Sequence, residues 1–157
     1  MSKKNPNINT DQRPHFDYVR SAGYNFTVIS NKLSRGLTKI LRTKADIGVI
    51  EWRVIVHLAL EAPMIASDIG RIATIDKALV SKAFKSLEAK GLIALGCFPN
   101  EQRPRLAKLT DKGEILYDEI LPLVLAREAA VMTGLTTGEI DMLFETLEKI
   151  RNNLELL

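Results

Sequence analysis

The sequence predicts a mainly α-helical protein of six helices with a two-stranded β wing. Apolar residues recur at helical spacing in six separate segments, which is typical of amphipathic helices packed around a core. Only one stretch, 92–109, carries two short strand-like runs around a turn-rich segment. With 157 residues, 46% of them hydrophobic and 26% charged, the chain has the length and composition of a soluble globular domain.

The first two helices follow a polar segment. Residues 1–13 show no periodicity and are predicted to form a flexible tail. Helix one is predicted from about Arg20 to Lys44, where an apolar stripe comprises Phe26, Ile29, Leu33, Leu37, Ile40 and Leu41. Helix two is predicted from about Val49 to Leu60, before Pro63. Its apolar residues are Ile50, Trp52, Val54 and Leu58.

Two further helices and the wing come next. Helix three is predicted over Ala66–Ala73, with Ile69 and Ile72 facing inward. Helix four spans about Asp76 to Lys90, with Asp76 as its N-cap and Gly91 at its end. Its predicted buried face is Leu79, Val80, Ala83, Phe84 and Leu87. The runs 92–95 and 105–109 are predicted to be the strands of the wing.

The last two helices are long. Helix five is predicted to run from after Thr110 to about Thr133, with a kink at Pro122. Thr136 and Glu139 form a capping box at the start of helix six. The apolar seam of helix six is Ile140, Leu143, Phe144, Leu147, Ile150, Leu154 and Leu157. Such a seam requires a partner, either helix one of the same chain or a second subunit.

Several classes of protein are excluded. No run approaches the roughly 18 apolar residues of a membrane span, and the N-terminus has no apolar segment of a secretory signal, so we expect a cytoplasmic protein without membrane contact. The single cysteine, Cys97, excludes an internal disulfide and a zinc site. No phosphate loop, nucleophile elbow or metal-binding histidine pair is present. We therefore expect neither an enzyme nor a bound cofactor or metal.

Charge and element order indicate nucleic-acid binding. Residues 1–110 hold 18 lysines and arginines against 9 acids, whereas 111–157 hold 4 against 10. A short helix, a tight turn, a basic helix and a basic hairpin form the order of a winged helix-turn-helix, in which the second helix enters the major groove. The predicted DNA contacts are Lys77, Ala78, Ser81, Lys82 and Lys85 on helix four and Arg103 and Arg105 on the wing. The alternative is a solvated lysine-rich helix followed by a polar turn.

From Ile50 to Gly113 the sequence resembles the MarR family of winged helix-turn-helix transcription regulators. The matching segments are Ile50–Val54, Ala66–Gly70, Asp76–Lys82, Leu87–Ile93, Glu101–Arg103 and Leu109–Gly113. The resemblance implies one domain over 14–157, with a DNA-binding lobe at 46–110 and a dimerisation region at 14–45 plus 111–157. It also implies a homodimer that represses transcription from a pseudo-palindromic operator in double-stranded DNA.

The resemblance further implies release of the DNA by a small effector such as an aromatic acid or phenol, bound in a crevice lined by helices one and two. The candidate ligand residues there are His15, Tyr18, Arg20, Tyr24, Asn25, Trp52 and His57. Core or interface packing is the alternative role for Trp52, His57 and Tyr24. Some members of the family sense oxidants through a reactive cysteine near the N-terminal end, whereas Cys97 lies at the base of the wing, which does not favour a redox role. Ala94-Leu95-Gly96 stands where the family has a basic residue. This departure favours a second hypothesis, a winged-helix module for protein–protein assembly that has lost its DNA contact. A third hypothesis is an architectural protein without an effector.

Overall fold

The computed structural model describes residues 17–96 and 106–156. Its helices are α1 (Ala22–Ala45), α2 (Val49–Glu61), α3 (Ala66–Ala73), α4 (Lys77–Ala89), α5 (Asp111–Val131) and α6 (Thr137–Leu154). Its strands are β1 (Ile93–Gly96) and β2 (Leu106–Leu109), which pair antiparallel. The predicted fold class is therefore confirmed, with helix ends within a few residues of those expected.

The chain contacts divide into two units, Met1–Gly36 and Leu37–Leu157. In the described part of the first unit a 3₁₀ turn, Tyr18–Arg20, precedes α1. The Asn25 side chain donates to the carbonyls of Val19 (3.0 Å) and Ser21 (2.9 Å), so it ties this turn to the first turn of α1. The sequence pattern had not predicted the 3₁₀ turn, because its residues carry no periodic signal.

The hydrophobic core lies in the second unit and centres on α2. Four residues of this helix are buried, namely Trp52, Val54, Ile55 and Leu58. They pack among side chains from the surrounding elements, including Leu41, Ile69, Val80, Phe84, Leu87, Ile93, Leu109 and Ile120. Because α2 is apolar on several sides, it is enclosed by α3, α4, β2 and α5 rather than lying on the surface.

The wing strands are fixed in register from both ends. Ile93 pairs with Leu109 and Gly96 pairs with Leu106. On the other side of β2, Met64 forms an isolated antiparallel bridge to Ala107, with N–H to O distances of 3.1 and 2.8 Å. The base of the wing is thus held between β1 and the segment that precedes α3.

Two burial predictions for the helix-turn-helix were wrong. Ile72 on α3 is 48% exposed and Leu79 on α4 is 47% exposed, whereas both were expected to face the core. Apolar spacing alone does not distinguish the core face of such a helix from an adjacent flank that remains in solvent. The other four predicted core residues of α4 are buried.

The two C-terminal helices differ in burial, because Ile120 of α5 belongs to the core. Helix α5 continues without interruption through Pro122, as expected for one helix rather than two. The Thr136–Glu139 capping box is present: the Thr136 N–H donates to Glu139 Oε2 over 2.8 Å, and the Glu139 N–H donates to Thr136 Oγ1 over 3.3 Å. Helix α6 buries none of its residues.

Two negative findings apply to the described part of the chain. No helix within it is both long and apolar enough to cross a membrane. It also contains no group of three or more histidine, cysteine, aspartate or glutamate side chains arranged to hold a metal ion.

Candidate nucleic-acid interface

The turn between α3 and α4 is unusually tight. Thr74 adopts the left-handed conformation (φ 53°), and the N–H of Ile75 donates to the carbonyl of Gly70 over 2.8 Å. A Cβ at position 70 would lie 2.9 Å from the Ile75 carbonyl oxygen. Glycine at position 70 therefore permits this close approach, which sets the angle between α3 and α4.

Helix α4 begins at an aspartate cap. Asp76 Oδ1 accepts from the backbone N–H groups of Ala78 (2.8 Å) and Leu79 (3.3 Å), as predicted for an N-cap. The buried side of the helix consists of Val80, Ala83, Phe84 and Leu87. Packing of this side against the core fixes which face of α4 points outward.

The outward face carries the five predicted DNA contacts of α4. Lys77, Ala78, Lys82 and Lys85 are exposed, and Ser81 is half-buried. Together with Asp76 they line one open surface depression. None of the three lysines forms an ion pair with another residue in the described ranges, so their ammonium groups point to solvent. Such a face presents several donors to an anionic groove.

The carboxylate of Glu51 connects α2 to the far end of α4. Its Oε1 accepts from Ser86 Oγ (2.7 Å) and Lys90 Nζ (2.9 Å), and its Oε2 accepts from the Gly48 N–H (2.6 Å). Burial alone raises the pKa of Glu51, but the hydrogen bonds from Ser86, Gly48 and Lys90 and the Lys90 charge outweigh burial and leave the pKa below its ordinary value. The carboxylate thus stays ionised at neutral pH.

Lys90 extends this connection to two other segments. Its Nζ also donates to the carbonyl of Asp46 between α1 and α2, over 2.8 Å. Its carbonyl accepts from Lys112 Nζ at the start of α5, also over 2.8 Å. This cluster was not predicted from the sequence. The spacing of Glu51 three residues after Gly48 was its only sequence signal, because Ser86 and Lys90 are distant along the chain.

The other half of the predicted DNA interface lies outside the described residues. Arg103 and Arg105, the two predicted wing contacts, both fall between Gly96 and Leu106, as does Cys97. The strands on either side are described, and they direct the two ends of this segment to the same edge of the wing.

Three of the candidate ligand residues cluster in the first unit. The rings of Tyr18 and Tyr24 meet edge to face with centroids 4.8 Å apart. Asn25, whose amide nitrogen donates to two carbonyls, follows Tyr24 directly. Arg20 ends the 3₁₀ turn with its side chain exposed. His15 precedes the described residues.

The remaining two candidates lie on α2 in the second unit. Trp52 is 3% exposed and stacks on Tyr117 of α5, with ring centroids 5.8 Å apart and an interplanar angle of 21°. Trp52 therefore packs as a core residue, which was the alternative to a ligand-binding role. His57 is half-buried.

The sequence and the fold resemble those of known transcriptional regulators. The family model described as "MarR family" matches residues 45–100, which cover α2 to β1. The HTH-type transcriptional regulator YdgJ of Bacillus subtilis is 27% identical over 124 residues, covering 76% of each chain. A MarR/EmrR family transcriptional regulator from Acinetobacter sp. ADP1 superposes with a TM-score of 0.83 at 29% identity, covering 90% of this chain and 100% of that chain. In sequence and in fold the chain is therefore similar to MarR family transcriptional regulators.

A second MarR family structure bears on the α4 face. A MarR family regulator from Listeria monocytogenes, solved in complex with a 26-mer DNA, shares 26% identity and a TM-score of 0.78. It covers 86% of this chain and 89% of its own chain. The segment that matches the MarR family model includes the tight α3–α4 turn and the whole outward face of α4. The exposed lysines of α4 therefore lie within the part of the chain that resembles MarR proteins.

Proposed function

We propose that this protein is a member of the MarR family and a sequence-specific DNA-binding regulator whose helix α4 enters the major groove. The observation that carries the proposal is the outward face of α4, where three unpaired lysines surround Ala78 and Ser81 directly after a tight helix-helix turn. Lys82 and Ser81 contact base edges, whereas Lys77 and Lys85 contact phosphates and fix the register. Arg103 and Arg105 reach the adjacent minor groove.

The DNA-bound form is a homodimer acting in the cytoplasm. Helix α6 buries no residue within its own chain, yet its apolar seam includes Phe144 and Leu154, which are 58% and 64% exposed. In proteins most of the stability of a helix comes from packing of its apolar face, so a second copy supplies the missing surface for α6. The dimerisation region comprises 14–45 and 111–157, and the DNA-binding lobe comprises 46–110.

The regulator represses transcription and leaves its operator when a small aromatic acid or phenol binds. The paired rings of Tyr18 and Tyr24, with Arg20 nearby in the sequence, suit a planar anion. The fold is shared with Bordetella bronchiseptica BpsR, whose DNA binding is regulated by 6-hydroxynicotinic acid (TM-score 0.78, 19% identity). The relatives' description as transcriptional regulators supports a regulator rather than an enzyme.

The proposal is tested by measuring binding to duplex DNA selected from a random pool, over a range of salt concentrations. A dimer with roughly 6–10 phosphate contacts loses affinity with a log–log slope of about −0.9 per contact. Lys85→Ala removes one phosphate contact per subunit, so the slope becomes shallower by about two. Lys82→Ala costs about 1–3 kcal/mol and relaxes the preference at particular bases, while Arg103→Ala weakens binding to all sequences.

Lys149→Ala provides the matched control, because this lysine is exposed on α6 and away from α4. It should leave both the slope and the selected sequence unchanged. A pool that yields no preferred sequence contradicts the proposal and favours the protein-interaction alternative. Selected DNA whose affinity is unaffected by every tested phenol and aromatic acid supports the effector-free architectural alternative.

A further inference from the structure

The first turn of α4 presents an unusual set of side chains. Of its residues Lys77, Ala78, Leu79 and Val80, only Val80 is buried. Leu79 is 47% exposed, and its position is fixed because its backbone N–H donates to the cap carboxylate of Asp76 over 3.3 Å. The turn that a recognition helix directs toward base edges therefore carries one cation and two apolar side chains.

Base-edge chemistry restricts what two apolar side chains can select. In the major groove every base pair presents hydrogen-bond donors or acceptors, and the only apolar group is the C5 methyl of thymine. A leucine placed against a cytosine amine or a guanine oxygen would leave that polar group without a partner, which is unfavourable. Leucine against a thymine methyl buries two apolar groups together.

We propose that Leu79, assisted by Ala78, selects a thymine in each operator half-site by packing on its C5 methyl group. This inference rests on the proposed DNA-binding function and adds a specificity-determining residue to it. Leu79 is absent from the contacts predicted from the sequence, because its apolar character had assigned it to the core. Its exposure in the structure is the observation that changes its role.

The position of Leu79 also limits where the thymine lies. Leu79 lies beside the outward face of α4 and, with Lys82, lines a second depression that also includes Arg42 and Val49. Leu79 and Lys82 are three residues apart on one helix, which corresponds to about 4.5 Å along its axis. Successive base pairs are about 3.4 Å apart. The thymine selected by Leu79 is therefore expected within about one or two base pairs of the base that Lys82 contacts.

The test replaces single thymines of the selected duplex with deoxyuridine, which pairs identically and lacks only the methyl group. Loss of one buried methyl corresponds to about a fourfold rise in Kd for one half-site, and to about fifteenfold when both half-sites are substituted. Wild-type protein should show this rise at one thymine per half-site. Leu79→Ala should bind the thymine and deoxyuridine duplexes equally at that position, and Leu79→Met should retain most of the discrimination.

Leu60→Ala is the matched control, because Leu60 is a leucine exposed by 73% at the end of α2. It should keep the full response to deoxyuridine. The inference is overturned if wild-type protein tolerates deoxyuridine at every thymine, if the half-site contains no thymine, or if Leu79→Ala keeps the same penalty. Failure to select any sequence overturns the proposed function and this inference together, whereas selection without methyl dependence overturns the inference alone.

Discussion

The absent side chain of Gly113 allows α5 to begin directly against the base of the wing. A Cβ at this position would collide with the carbonyl oxygen of Leu92 and would also press on Leu109. The Thr110 hydroxyl accepts from the Gly113 N–H (3.1 Å) and donates to the Gly91 carbonyl (2.8 Å), so the backbone has little room to move away. The start of α5 can therefore pack this closely on the base of the wing only because residue 113 has a hydrogen atom in place of a side chain.

Gly113→Ala should destabilise the protein by at least about 2–3 kcal/mol, because the added methyl meets backbone rather than a flexible side chain. Gly138→Ala is the control: a Cβ there has no neighbour within 4 Å, and alanine in a helix is favoured by about 1 kcal/mol. Urea unfolding followed by circular dichroism measures the free energy of unfolding of both variants and of the wild-type protein. Equal stability of the two variants would contradict the packing described for Gly113.

At the level of single residues, local capping patterns were predicted correctly from the sequence, whereas the burial of apolar side chains was predicted less well. The Asp76 cap and the Thr136–Glu139 capping box are local patterns, and both are present. Whether an apolar residue is covered depends on distant segments. Leu79 therefore proved exposed, and Trp52 proved to stack on Tyr117, although the sequence left its role open between ligand and core.

Among the helices, the link between α2 and α4 is the most informative contact. Glu51 accepts three hydrogen bonds, two of them from the C-terminal half of α4, and its side chain is only 15% exposed. Since Lys90 also donates to Asp46, α4 is attached at its far end to the junction of α1 and α2. Any movement of that junction would be transmitted to α4 through these bonds.

The lowered pKa of Glu51 predicts a pH dependence of folding. In the unfolded chain Glu51 binds a proton near its ordinary pKa of 4.5, whereas in the folded protein it does so only at lower pH. Its contribution to stability is therefore complete above that value and is lost as the pH falls toward the folded-state pKa. Glu51→Gln should lower the free energy of unfolding by about 1–3 kcal/mol near neutral pH. Below the ordinary glutamate pKa, the free energy of unfolding of this variant should fall less steeply with decreasing pH than that of the wild-type protein.

Urea unfolding of both proteins between about pH 7 and pH 3.5, on either side of the ordinary glutamate pKa, measures this dependence. Glu88→Gln is a suitable control, because Glu88 is exposed on α4 and forms no ion pair within the described residues. Parallel pH curves for wild-type protein and Glu51→Gln would contradict the assigned role. The partners of Glu51 could not be predicted from the sequence, because contacts across 35 and 39 residues leave no local pattern.

For the whole molecule, the uncovered apolar surface of the C-terminal helices is the dominant feature. Exposed apolar side chains occur on α6 and on the second half of α5, namely Leu123, Leu125, Val131, Met142, Phe144, Leu147 and Leu154. The sequence predicted that the seam of α6 needs a partner but left open which one. A surface of this extent on one chain is typical of an interface.

Phe144→Glu should disrupt the proposed homodimer, because a carboxylate would be buried without a partner. A penalty of at least about 3 kcal/mol corresponds to more than a hundredfold rise in the dimer Kd. Sedimentation of wild-type protein and Phe144→Glu over a range of concentrations measures this change, and Glu145→Gln on the same helix is the control. A wild-type protein that remains monomeric at about 100 μM would contradict the homodimer.

The fixed register of the wing has a consequence for how such proteins diversify. Gly96 and Leu106 are held opposite each other by the β1–β2 ladder, and Met64 secures β2 from its other side. The chain between these two residues can therefore lengthen, shorten or be exchanged during evolution without disturbing α4 or the start of α5. In protein engineering, Gly96 and Leu106 are suitable junctions for replacing the segment between them with the wing segment of another regulator.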